Sequence, residues 1–147
     1  MIIKSVLLAC NPQRAFALFT EQAGLWWPAD RRHTADAHSA IRIESGGRFF
    51  ERAADGSEVE LGVVRHFEAP DRLRLDWYPG TGQANPTQVD IRFEAVDGGT
   101  RVTVRHGPAG AAAAAAAFER TAPAFAQSWN LVLAALANQA RPNPNMT

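Results

Sequence analysis

The chain has 147 residues, 46% of them hydrophobic and 20% charged, which is enough for one hydrophobic core and too little for a second domain. Fifteen basic residues balance fifteen acidic ones, so there is no electrostatic footprint for a phosphate backbone and no nucleic-acid partner is expected. A single cysteine, Cys10, excludes an internal disulfide and multi-cysteine zinc patterns and fits a reducing, cytoplasmic setting.

The opening "MIIKSVLLAC" imitates a lipoprotein signal, but Ser5 to Ala9 is shorter than the roughly 7–15 apolar residues of a signal core. No segment approaches the roughly 20 apolar residues of a membrane span, and no membrane partner is expected. Ile2 to Cys10 therefore reads as a first strand, stopped by Asn11-Pro12. Asn11 is a good N-cap and Pro12 suits the first helical position, so a short helix with Phe16 and Phe19 on one face follows. Thr20 is expected to cap a second short helix carrying Leu25, Trp26 and Trp27, with Pro28 ending it. On such a helix the adjacent tryptophans diverge by about 100°, which puts Trp26 in the core and Trp27 at a pocket mouth or the surface.

Residues 29–37, "ADRRHTADA", are polar and without period, which marks an exposed loop. His33, Asp36 and His38 there could supply metal ligands, but a loop without rigid spacing favours solvation, and no metal is expected. Period-two patterns then place strands at 38–44, 48–53, 58–68, 72–78, 87–96 and 100–106, with Asp55-Gly56 and Asp97-Gly98-Gly99 as turns. Glu51, Asp55, Glu58 and Glu60 surround one hairpin and are expected in water. In "PGTGQANP", Gly80-Thr81-Gly82 lacks the third glycine and the following helix of a dinucleotide fingerprint, and no nucleophile elbow, phosphate loop or H-E-x-x-H is present. No cofactor is expected.

Seven consecutive alanines, Ala111 to Ala117, have high helix propensity and little to bury. Pro123 either kinks one long helix or starts a second one capped by Thr121. Beyond it Phe125, Trp129, Val132, Leu133 and Leu136 form a stripe that must be buried. "RPNPNMT" reads as a flexible tail, leaving residues 1–140 as one domain.

Alternation sorts the strand faces. Leu73, Leu75 and Trp77 share one face, as do Val89, Ile91 and Phe93, while Arg72, Arg74, Asp76, Gln88, Asp90, Arg92 and Glu94 take the opposite faces. Val102, Val104 and His106 are in phase, which turns His106 toward the helix. An imidazole buried there needs a partner: backbone, a ligand at a pocket rim, or a substrate. In Val59 to Phe67 either phase buries a charge at Arg65 or His66, so a bulge or a pairing of Arg65 with Glu68 or Glu58 is expected. Phe49 and Phe50 pose the same question of phase.

Several blocks resemble one family: "FTEQAGLWWP", "SGGRFFERAADGSEVELGVVRHFEAPDRLRLDW", "VDIRFEAVDGGTRVTVRHG" and the "SW" of the last helix. The chain is similar, from about Pro12 to Leu136, to the activator of heat-shock-protein-90 ATPase homologues of the START-like, Bet v 1-like (SRPBCC) superfamily. It departs from them in having Ser128 before Trp129, where the family often has glycine, and polyalanine upstream. The resemblance implies an α+β helix-grip fold: a curved seven-stranded antiparallel sheet around a long C-terminal helix, two short helices between strands 1 and 2, and a hydrophobic pocket between sheet and helix.

The residues expected to bind a ligand there are Trp26, Trp27, Phe50, Trp77, Phe93, Val104, His106, Phe125 and Trp129. The leading expectation is binding of a small hydrophobic molecule without established catalysis. Two alternatives stay open: a cyclase-, dehydratase- or hydrolase-like enzyme with His106 as acid or base, and a chaperone-cofactor-like interaction module with an exposed patch at Trp27. A homodimer and a protein partner also stay open.

Overall fold

The computed structural model describes residues 1–110 and 112–141. Ala111 and residues 142–147, most of the expected tail, lie outside the described residues. Seven strands form one antiparallel sheet: β1 (Ile2–Leu8), β2 (Ala40–Ile43), β3 (Arg48–Arg52), β4 (Glu58–Glu68), β5 (Arg72–Trp77), β6 (Thr87–Val96) and β7 (Gly99–Pro108). Their order is β1-β7-β6-β5-β4-β3-β2, so the first strand pairs with the last and the rest run as a meander. The sheet curls around α2 (Ala112–Ala140), in the helix-grip arrangement.

Asn11 caps α1 (Pro12–Thr20), its Oδ1 accepting from Arg14 N at 2.9 Å, with Pro12 in the first turn. Thr20 does not cap a second helix. Its hydroxyl donates back to Phe16 O at 2.7 Å, which spends the cap inside α1. The chain continues as a 3-10 turn, Ala23–Leu25, and Trp26 and Trp27 follow it. Because they are not on a regular helix, the two indoles do not diverge: their centroids are 5.3 Å apart at 40°. Both are buried, at 7% and 8% exposure, and Leu25 is the exposed member. A second 3-10 turn, Ala29–Arg31, lies where an irregular loop was expected.

Pro123 is accommodated within one continuous α2. It lies on the exposed side of the helix, where water can serve the carbonyl that its missing N–H leaves free. The opposite side buries Phe118, Phe125, Trp129, Val132, Leu133 and Leu136 against the sheet.

Two bulges settle the ambiguous strand phases. Between β4 and β5 the register steps from Val64↔Leu75 to His66↔Arg74, leaving Arg65 as the extra residue. Its guanidinium reaches Asp76 through Nε at 2.9 Å and Nη2 at 2.6 Å, in place of either expected glutamate. The bulge turns the charge outward, where an ion pair costs no desolvation of a buried group. Between β3 and β4 the register steps from Phe49↔Gly62 to Phe50↔Glu60, which makes Leu61 the extra residue.

Directly paired residues of an antiparallel ladder share a face, and Ile41 pairs Glu51 while Ile43 pairs Phe49. Phe49 and Glu51 therefore point inward with the buried isoleucines. Phe50 points outward, under the guanidinium of Arg48 at 3.9 Å and that of Arg52 at 5.1 Å.

Glu51 overturns the expectation of a solvated carboxylate, since it is 0% exposed. It is tolerated because the 29–39 segment folds over it. Its two carboxylate oxygens accept from His33 N and Thr34 N, both at 2.8 Å, and from Ser39 Oγ at 3.0 Å. Burial alone would raise its pKa, but these donors together with the Thr34 hydroxyl outweigh burial and hold it below the usual carboxylate value. Glu51→Gln should lower the unfolding free energy in urea by about 1–3 kcal/mol, because the amide offers one acceptor oxygen to two backbone N–H groups. Glu60→Gln, at an exposed ion pair with Arg48, should change it by less than about 1 kcal/mol.

Candidate functional site

A cavity of about 240 Å³ opens between the inner face of the sheet and α2. Its floor is aromatic and aliphatic: Trp27, Phe49, Leu61, Trp77, Phe125, Trp129 and Val132. The rings form a continuous wall, with Trp77 at 5.0 Å from Phe49 and 5.1 Å from Trp129, and Trp27 at 6.4 Å from Trp77. Pro79, Gly80, Thr121, Ala124 and Ser128 complete one side. Gly80 is required there, because its φ is +89° and a Cβ would lie 2.7 Å from the Phe125 ring. Asp30, Arg31, Arg32 and His33, from the second 3-10 turn and the residues after it, form a polar rim.

Arg32 shapes that rim. Its Nη1 donates to Ser39 O at 2.6 Å and Ser39 Oγ at 2.9 Å, and its Nη2 to Gly24 O at 2.7 Å and Trp27 O at 3.0 Å. One planar fork thereby joins the segment that carries Trp27 to the segment that covers Glu51. Desolvation lowers the Arg32 pKa, and the charges of Glu51 and Asp36 oppose it. Asp36 is spent on local structure, accepting from His38 N and Ala54 N.

His106 is 0% exposed and is not part of the cavity wall. Trp129 Nε1, which can only donate, meets its Nδ1 at 3.0 Å. Nδ1 is therefore the acceptor and Nε2 carries the proton, which it donates to Thr87 Oγ1 at 2.7 Å. The Thr87 hydroxyl in turn donates to Trp77 O at 3.3 Å. Phe125 packs against the imidazole at 4.2 Å, tilted by 44°, and Phe118 lies at 5.4 Å. Burial, with a smaller contribution from the N-terminal ammonium, pushes the His106 pKa down to about 3. The partners are side chains, not the backbone, which was one of the partners open to it.

Of the nine residues expected at the site, Trp27, Trp77, Phe125 and Trp129 line the cavity. Trp26 does not: its Nε1 donates to Leu18 O at 2.7 Å and locks α1 to the turn. Phe93 packs on Phe16 and Phe19, and Val104 is buried in the core. His106 lies behind Trp129, and Phe50 is on the other face of the sheet.

Sequence reasoning missed Phe49 and Leu61, whose phase a bulge decides, and the rim arginines, which looked like solvated loop. The in-phase pair Ile41 and Ile43, read across the hairpin, was the one signal that pointed to Phe49.

The protein-family model described as activator of Hsp90 ATPase homolog 1-like protein matches residues 9–140. No curated protein matches the sequence. Among solved structures, that of the self-sacrificing resistance protein CalC from Micromonospora echinospora is similar with a TM-score of 0.70 at 22% identity, covering 95% of this chain and 92% of that one. The Aha1 dimer from Colwellia psychrerythraea gives 0.64 at 14% identity, covering 95% and 94%. The di-domain ARO/CYC protein BexL from the BE-7585A biosynthetic pathway gives 0.60 at 22%, covering 97% of this chain and 50% of that one, so the chain spans about half of its length. Identities this low show a shared fold and nothing of ligand or chemistry.

The imidazole sets a pH dependence. Its folded pKa lies below the unfolded value, so its stabilising contribution is complete above about 6.5 and is lost as pH falls from there toward 3. Wild-type unfolding free energy should therefore fall through this window by up to about 1.4 kcal/mol per pH unit from this one group. His106→Asn should flatten that slope while lowering stability at pH 7. If the unfolding free energies from urea at pH 7, 6 and 5 fall with equal pH slopes in wild type and His106→Asn, the assignment is contradicted.

Proposed function

The chain belongs to the activator of Hsp90 ATPase homolog 1-like family, and from that premise we propose that it binds one small hydrophobic molecule in the cavity between the sheet and α2. The observation that carries this reading is that large rings on both walls, Trp27, Phe49, Trp77, Phe125 and Trp129, surround space instead of closing it. Apolar walls with a few polar groups on one side are what ligand sites generally present. At about 240 Å³ the space falls below the roughly 300–1,000 Å³ of drug-sized sites, so a ligand with one ring or a short chain fits best. The motif-level departure at Ser128 bears on this, because the side chain there lies on the cavity wall.

Binding is favoured over acid–base catalysis because both nitrogens of His106 are already committed, to Trp129 and Thr87, and burial keeps the ring neutral. A general base needs a free lone pair within reach of the substrate. Binding is also favoured over an interaction patch centred on Trp27, because that ring is nearly covered by the chain itself.

Folded protein should take up one equivalent of the neutral, one-ring, environment-sensitive dye 4-(dimethylamino)benzonitrile, with a saturable shift of its emission toward the short-wavelength band. Ser128→Phe should block uptake without lowering the thermal midpoint, and Trp77→Ala should change the affinity. Trp26→Phe and Trp27→Phe should separate the adjacent pair: both cost stability, and Trp27→Phe alone should alter the dye's dissociation constant. Fluorescence that appears only in denaturant or with aggregates would overturn the reading.

A further inference from the structure

The rim of the cavity carries a charge that the protein does not use. Arg31, on the second 3-10 turn, lines the cavity and is half-buried. It enters none of the ion pairs formed among the described residues. Its Nε is buried without a hydrogen-bond partner. Its neighbour Arg32 also lines the cavity, yet its terminal nitrogens are spent on Ser39, Gly24 and Trp27, and Glu51 lies close enough to offset its charge. Asp30 is the one acid on the rim; it is exposed and forms no ion pair with Arg31.

An unpaired guanidinium at the edge of an apolar space is costly unless something neutralises it, and its planar fork matches a carboxylate in shape and charge. The Ser128 hydroxyl, on the wall contributed by α2, offers a second polar contact. We propose that the ligand of this cavity is a small apolar monocarboxylic acid, its ring or chain among Trp27, Trp77 and Trp129 and its carboxylate on Arg31. This rests on the binding reading above and names the class of molecule bound.

A matched set of probes tests it by calorimetry: 4-phenylbutyrate, 4-phenylbutan-1-ol and 4-phenylbutylamine share the apolar part and differ in charge. Wild-type protein should bind the carboxylate at least about tenfold more tightly than the alcohol, as a charge-assisted contact requires, with the amine weakest. Raising KCl from low to high should narrow the gap. Arg31→Gln should abolish the preference for the carboxylate over the alcohol with the thermal midpoint nearly unchanged. Arg31→Lys should keep part of the preference, since the charge remains and the fork is lost.

Equal binding of acid and alcohol by the wild type, or a preference that survives Arg31→Gln, would overturn the inference. Uptake of 4-(dimethylamino)benzonitrile without carboxylate uptake would overturn the carboxylate class alone. Failure of that dye and of all three probes would overturn the cavity reading beneath it.

Discussion

The hydrogen bond from the Trp129 indole to Nδ1 of His106 joins the helix to the last strand of the sheet, and the geometry of the cavity follows from it. Because an indole N–H can only donate, the contact selects one tautomer of the imidazole, and that tautomer then donates to Thr87 on the adjacent strand β6. A relay of three side chains thus spans α2, β7 and β6 in a region otherwise filled with rings. A buried relay of this kind is stabilising only when every member is satisfied, and here every member is. With Trp129 held at one end and Trp77 beside it, the two indoles form a fixed wall instead of collapsing into the space between sheet and helix.

A second polar clamp shapes the rim. Glu51 points inward because β3 pairs with β2 in the register that buries Ile41 and Ile43, so its position is forced by the apolar residues around it. The 29–39 segment folds over the carboxylate and satisfies it with backbone N–H groups, and Arg32 fastens that segment to the carbonyls of Gly24 and Trp27. The consequence is that Trp27 is held against the cavity and a charged rim is built on a stretch without apolar periodicity. The two clamps differ in their response to acid: the stability that the neutral, buried imidazole contributes is lost as pH falls below about 6.5, because the unfolded chain then takes up a proton that the folded one does not, whereas the Glu51 carboxylate holds its charge to lower pH than an ordinary glutamate.

The adjacent tryptophans divide the work between these regions. Trp26 is a structural residue, with its N–H satisfied by Leu18 O at the end of α1. Trp27, 5.3 Å away, carries the wall from that core to the cavity. The same economy applies to glycine. Gly80 lets the loop after β5 pass close to Phe125 on the cavity wall. Ser128 on α2 and Arg31 on the rim meet the same space.

Local pattern alone was enough for the strands, the N-cap at Asn11, the inward faces of β5, β6 and β7, and the buried stripe of α2, because alternation and helical spacing report burial directly. Only the tertiary structure decided the rest, and for one physical reason. Bulges at Leu61 and Arg65 change strand phase by one residue, which exchanges the two faces, and the signal for a bulge lies in the partner strand, not in the bulged one. Burial of Glu51 and the tautomer of His106 likewise depend on donors 12 to 23 residues away. The sequence by itself determined which residues could be buried; the packed chain determined which charges could be buried with them, because that depends on where distant backbone donors arrive.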